Sequence, residues 1–181
     1  MWIQNVSKYD IAAGNYQDPG PNSMLIQILD KDEEFPVPPP EFAEFHRFEF
    51  LDEEGSNYYG LDYDMSYPTN GDLITAQQAK EIAQLLMKAR SQRMNVVVHC
   101  HAGIFRSGAV AEVGVLMGFE DVGAFRCPNR LVKHSIMDAM NIEYNPKEPI
   151  SVNGKPAKET ASKHQITIAG YRSQLAKLDQ K

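Results

Sequence analysis

The sequence predicts an α/β protein built in three layers: a central, twisted, mainly parallel sheet of four to five strands with helices on both faces. Three observations predict it. Val96, Val97 and Val98 form a short continuous apolar run of strand-forming residues, the pattern of a strand buried on both sides. Strand-like and helix-like segments alternate along the chain, and parallel strands need such crossovers. At 181 residues and 43% hydrophobic composition, the chain suits one domain with a core of its own.

Taken in order, Trp2 to Val6 and Met24 to Leu29 read as the first two strands. The acidic, proline-rich stretch DKDEEFPVPPPEF, Asp30 to Phe42, reads as a loop, since each proline removes a ladder donor. A third strand is expected near Phe45 to Leu51, followed by an irregular acidic insertion at about residues 52–73. Thr75 and Gln78 then form a capping box, and Ala79, Ile82, Ala83, Leu86 and Ala89 recur at helical spacing. That helix leads into the Val96–Val98 strand. Past it, Ser107 to Gly118 carries Val110, Val113 and Met117 on one helical face, with Gly118 as its stop. These elements fall within residues 1–140. Residues 141–181 differ, with seven Lys or Arg against four acids, and read as a C-terminal extension. It offers a small hairpin at Asn153-Gly154 and a terminal helix from His164 to Leu178, with Ile168, Tyr171 and Leu175 on one stripe. The extension either docks on the acidic insertion by charge or stays a flexible appendage.

The chemistry concentrates between the valine strand and the helix after it, where Cys100 and Arg106 stand at the two ends of a short loop. Backbone N–H groups at a helix start have no intrahelical partners, and with the macrodipole they make a site for a phosphate-like dianion. Gly103 lets the loop curl without a side chain in the way. The same field favours a thiolate over a thiol, whose ordinary pKa is about 8.5, so Cys100 is expected to be nucleophilic at neutral pH. Arg106 supplies a planar fork matched to two phosphate oxygens, and Ser107 a hydroxyl able to donate to the sulfur. His101, Ala102, Gly103, Ile104 and Phe105, with Arg106, are the expected substrate-binding residues. Alternation puts His99 and His101 on one side and Cys100 on the other, a poor chelate, so neither a metal nor any other cofactor is expected. His99 more plausibly orients the loop than acts as a base. His46, His134 and His164 are scattered without ligand spacing.

The bare spacing from cysteine to arginine is a weak signal, but the full pattern is not. HCHAGIFRSG, from His99 to Gly108, resembles the signature of the cysteine-dependent protein tyrosine and dual-specificity phosphatases, His-Cys-x-x-Gly-x-x-Arg-Ser/Thr. The resemblance extends to Ser23–Leu29 followed by Asp30, and to CPNRLVKHSI, Cys127 to Ile136, which is similar to the Pro-Asn segment opening a later helix in small bacterial and viral members. It implies that family's fold, a phosphocysteine intermediate on Cys100, Arg106 as phosphate clamp and Ser107 as the hydroxyl that assists hydrolysis. It also implies an aspartate general acid just after the strand that precedes the long helix, which here is Asp52, with Asp64 second and Asp62 third. Most other carboxylates in the insertion read as solvated loop charges. Phe105 departs from the serine common in dual-specificity members and reshapes the rim.

Three functions compete: a phosphomonoester hydrolase, a sulfurtransferase or arsenate reductase using a similar loop, and a catalytically silent phosphate-binding module. Arsenate reductases of the low-molecular-weight type carry the loop near the N-terminus, not past mid-chain, and retention of Cys100, Arg106 and Ser107 together disfavours a silent module. Residues 30–72 hold thirteen acidic side chains against Lys31 and Arg47, a field that opposes nucleic acid and polyphosphoinositides. A phosphorylated protein or peptide is the better substrate, with Tyr58, Tyr59, Tyr63 and Tyr67 available to wall a phosphotyrosine pocket or to pack the insertion. Arg126 and Arg130 read as solvent-facing, and Cys127 as semi-buried or a resolving thiol. Two cysteines argue for a reducing compartment. The N-terminus lacks a signal-peptide layout and Glu112 interrupts the longest apolar stretch, so no membrane is involved and the cytoplasm is the expected location.

Overall fold

The structure, a computed structural model, describes residues 1–52 and 73–142. Nine elements follow one another among the described residues: β1 (Trp2–Ser7), α1 (Lys8–Ala13), β2 (Ser23–Leu29), β3 (Glu44–Glu49), α2 (Ala76–Ser91), β4 (Asn95–Cys100), α3 (Arg106–Leu116), β5 (Glu120–Asp121) and α4 (Arg130–Ala139). The strands form one sheet in the order β3-β2-β4-β1-β5, every pair parallel. Thus the valine run sits at the centre, flanked by β2 and β1, and is buried on both faces as its composition requires.

Alternation along each strand divides the core in two. Ile3, Met24, Ile26, Ile28, Val96, Val98 and Cys100 face the layer of α2, α3 and α4, where Ile82, Leu86, Val110, Val113 and Ile136 pack against them. Trp2, Val6, Leu25 and Val97 face the other way, onto Ile11 of α1 and Phe42. The three layers expected from the sequence are therefore present, the second face being covered, among the described residues, by one short helix and the end of the proline-rich loop.

The predicted stripe of α2 is buried residue for residue, and Thr75 and Gln78 make both bonds of their capping box. Two short elements have no counterpart in the sequence reading. Helix α1 spans six residues, too few for a periodic signal, although Ser7 and Asp10 form a capping box and Gly14, at φ 70°, ends it. Strand β5 has two residues and exists because Glu120 and Asp121 pair with Trp2 and Ile3. The third strand begins at Glu44 and ends at Glu49 rather than Leu51, though Phe50 still donates to the Leu29 carbonyl at 3.1 Å. Most of the expected acidic insertion, including Tyr58, Tyr59, Tyr63 and Tyr67, lies outside the described residues. So does nearly all of the C-terminal extension, with its Asn153-Gly154 hairpin, terminal helix and docking. Among the described residues no helix is long and apolar enough to cross a membrane.

Candidate active site

An all-parallel sheet delivers the C-terminal ends of its strands to one edge, where ligands bind in such folds. Four connections meet at that edge: Ser7–Lys8 after β1, Asp30–Glu33 after β2, Phe50–Asp52 after β3, and the loop from Cys100 to Arg106. Cys100 closes β4 opposite Ser7. Its Sγ lies 3.2 Å from the Ser107 hydroxyl in the first turn of α3, so the proposed nucleophile and the hydroxyl that would assist it are in contact.

The loop between them is held from outside through its carbonyl groups. The His101 carbonyl accepts from Lys8 N at 3.3 Å, Gly103 from Asn5 Nδ2 at 2.7 Å, Ile104 from Cys127 N at 3.3 Å, and Phe105 from Asn129 N at 3.1 Å. A loop whose carbonyls are engaged from outside is left to present its amides inward. Gly103 has φ +76°, and a Cβ there would meet Val6 C at 2.4 Å and Ser7 N at 2.5 Å. Only glycine fits a left-handed residue pressed onto the β1–α1 junction. Among the described residues none gives α3 a side-chain cap, whereas Ser7, Thr75 and Asn129 cap α1, α2 and α4. The first amides of α3 are therefore open to an anion.

Arg106 is 2% exposed and is not a loose surface side chain. Its Nη1 donates to Asp30 Oδ1 at 2.5 Å and to the Phe50 carbonyl at 2.7 Å, while Nε is buried with no hydrogen-bond partner among the described residues. The residues that follow β2 and β3 thus hold the Nη1 corner of the guanidinium. Of the remaining substrate-binding candidates, His101, Ala102 and Phe105 are exposed, Ile104 is half-buried and Gly103 is buried.

Asp52 is exposed just after β3, and its Oδ1 accepts from Asn129 Nδ2 at 3.0 Å. Asn129 also caps α4 through Val132 N and reaches the loop through its own amide, so it links the first-choice acid to the loop. Asp62 and Asp64 lie outside the described residues. Glu33 bridges Lys8, at 2.6 Å, and the His101 ring. Partial burial opposes its ionisation, but the hydrogen bonds from Lys8, His101 and the Asp30 backbone outweigh it and hold the carboxyl at about 2.

His99 is fully buried, and desolvation pushes it down to about 4 against the weaker pull of the Cys100 main chain, so it is neutral at pH 7 and only a weak base. The unfolded chain takes up this proton near pH 6.5 and the folded chain only near 4. Stability is therefore expected to fall, by up to about 3 kcal/mol, as pH drops through that window. Urea unfolding at pH 4.5, 5.5 and 7 checks this: the slope is expected to be smaller in His99→Gln. The Glu33 contribution is lost only below its unfolded value of 4.5, so the two effects separate.

Arg126 corrects an expectation. It is 5% exposed rather than solvent-facing, because both oxygens of Asp121 and the amide of Asn5 surround it. Asn5 and Glu33 carry no local pattern that marks them, whereas Asn129 stood within the Pro-Asn segment.

Comparison with protein-family models gives no match, and curated proteins give none either. Two solved structures show a distant similarity. Human DUSP28 is 14% identical with a TM-score of 0.42, covering 95% of this chain and 94% of its own. OH1 from the Orf virus, described as a tyrosine phosphatase with triple substrate specificity, is 14% identical with a TM-score of 0.40, covering 95% of this chain and 69% of its own. At such identity the chemistry rests on the loop residues themselves.

Proposed function

We propose that this chain is a phosphomonoester hydrolase of the cysteine-dependent tyrosine or dual-specificity type, acting on phosphorylated protein side chains. One observation carries the reading: a strand-end cysteine 3.2 Å from a serine hydroxyl, in a loop closed by a buried arginine whose Nε is unpaired among the described residues. In the first step the Cys100 sulfur attacks phosphorus in line. The S–P bond forms as the P–O ester bond breaks, and the leaving oxygen takes a proton from a carboxylic acid. Arg106 and the amides of the loop and α3 carry the charge of the equatorial oxygens. In the second step water attacks phosphorus, the acid residue removes its proton, and the S–P bond breaks while Ser107 donates to the departing sulfur. No metal or cofactor enters either step.

Residues 1–140 form the catalytic domain in this reading, and 141–181 an extension to it. The reading also assigns the acid to Asp52, the carboxylate that Asn129 holds beside the loop. Asp52→Asn is expected to lower kcat by about a hundredfold and flatten the basic limb of the pH–rate profile. The same profiles for Asp64→Asn and Asp62→Asn decide the assignment, since either one losing the basic limb transfers the role to itself.

The acidity of residues 30–72 is less forbidding than its formal sum. Asp30 is paired with Arg106, Glu33 with Lys8 and His101, and Glu44 with Lys88 at 2.5 Å. Phosphate release from phosphotyrosine, phosphoserine and phosphothreonine peptides, nucleotides and phosphoinositides tests the substrate class. Turnover confined to nucleotides or phosphoinositides would overturn the assignment to protein substrates.

A further inference from the structure

A buried polar chain with no part in the chemistry above meets the loop at Gly103. Asn5 of β1 is fully buried and donates from Nδ2 to the Gly103 carbonyl at 2.7 Å. Its Oδ1 faces Arg126 Nη1 at 3.5 Å. Arg126 in turn grips both oxygens of Asp121, at 2.8 and 2.6 Å, and lies 3.9 Å from Glu112 of α3, which pairs with Lys133 of α4 at 3.0 Å. A guanidinium has donors only, so the oxygen of the Asn5 amide must face Arg126 and its NH2 must face Gly103. Close-packed glycines leave little slack. A Cβ at residue 123 would lie 2.1 Å from Asn5 Oδ1, and one at residue 108 would lie 2.9 Å from Arg126 Cβ.

We propose that Asn5 is a positioning residue for the anion-binding loop: it holds the Gly103 carbonyl away from the bound oxyanion, while Arg126, anchored on Asp121, sets which way its amide points. The proposal rests on reading the loop as a phosphate cradle. A carbonyl dipole turned toward a dianion repels it, and a left-handed glycine gives its flanking peptides the freedom to turn. One side-chain donor at Gly103 removes that freedom. The price in sequence terms is a polar residue on a sheet face otherwise lined by Ile3, Val96 and Val98.

The test uses the full chain with three substitutions, two at Asn5 and one at Arg126. Asn5→Leu removes the donor without adding charge. Asn5→Asp keeps the shape and the Arg126 contact but turns an acceptor toward the Gly103 carbonyl. Tungstate affinity by calorimetry, kcat and KM on p-nitrophenyl phosphate, and Tm are read for each. The tungstate Kd is expected to rise and kcat to fall by about tenfold to a hundredfold, with Asn5→Leu melting within about 4 °C of the parent. Arg126→Lys keeps a charge beside Asp121 but loses the fork, and shifts both quantities in the same direction by less. A folded Asn5→Leu chain that binds tungstate and turns over like the parent overturns the proposal and leaves the phosphatase reading intact. If Asn5→Leu does not fold, an unchanged tungstate Kd in Arg126→Lys overturns it instead. A parent that binds tungstate but releases no phosphate overturns the phosphatase reading alone, and the Asn5→Leu Kd still decides this proposal. A parent that binds no tungstate overturns both.

Discussion

Cys100→Ser is expected to lower phosphate release by about 10⁴-fold or more while the loop still binds tungstate. The two halves of that result have separate causes. In the proposed reaction sulfur is the nucleophile and the atom that leaves again in the second step, and a serine hydroxyl at neutral pH is far weaker in both roles. Oxyanion binding, by contrast, depends on groups the substitution does not touch: the α3 N-terminus, Arg106, and the outside contacts that pin the loop carbonyls. Cys100 is almost fully buried against the α2–α3–α4 layer, and serine is the smaller residue, so nothing has to move to admit it. Initial rates on p-nitrophenyl phosphate and tungstate calorimetry on the same preparation check both halves. Substantial turnover by the serine variant would remove Cys100 from the reaction. Loss of tungstate binding would mean that the thiol helps to build the cradle, beyond its chemical role.

The contrast between what the sequence carried and what it hid follows the range of the interactions. Val96–Val98, the Ala79–Ala89 stripe and the Thr75–Gln78 cap are local patterns, and burial and capping follow them in the folded chain. The strand–loop–helix frame around Cys100 and Arg106 is local too, so the contact between Cys100 and Ser107 was foreseeable. What holds that frame in place is not local. Asp30 reaches Arg106 across 76 positions, Asp52 meets Asn129 across 77, Glu33 meets His101 across 68, and Asn5 meets Gly103 across 98. Taken alone, Asp30 and Glu33 read as loop acids and Asn5 as an unremarkable amide, while Asp52 and Asn129 were marked only by the family resemblance. They converge because parallel strands bring successive C-terminal ends to one edge, and composition encodes the sheet without naming which side chains meet there. Arg126 failed for the same reason. Two arginines near a helix start are usually solvated, and only the pairing of β5 with β1 carries Asp121 and Asn5 to either side of this one.

Arg106→Lys is expected to cost about a thousandfold in kcat/KM, even though the charge is kept. The arginine divides its donors. Nη1 is committed to Asp30 at 2.5 Å and to the Phe50 carbonyl at 2.7 Å, while Nε has no partner among the described residues. One edge of the rigid plane is thus anchored by the residues that follow β2 and β3, and the anchoring aims the opposite edge. A lysine ammonium has no opposite edge: once drawn to Asp30 and Phe50, the same nitrogen must also serve the phosphate, and it cannot present two parallel N–H groups to two oxygens. The loss is therefore expected in kcat as well as KM, since the bidentate contact is needed most as charge spreads over the equatorial oxygens. Tungstate binding should weaken in parallel, unlike in Cys100→Ser, and this difference separates a defective clamp from a missing nucleophile. Asp30→Asn supplies the complementary check. It keeps an oxygen acceptor for Nη1 but removes a negative charge beside the anion site, so it should leave tungstate affinity equal or higher if Asp30 serves only to aim the guanidinium. A large loss in Asp30→Asn would instead show that the carboxylate charge is needed to hold Arg106 in place.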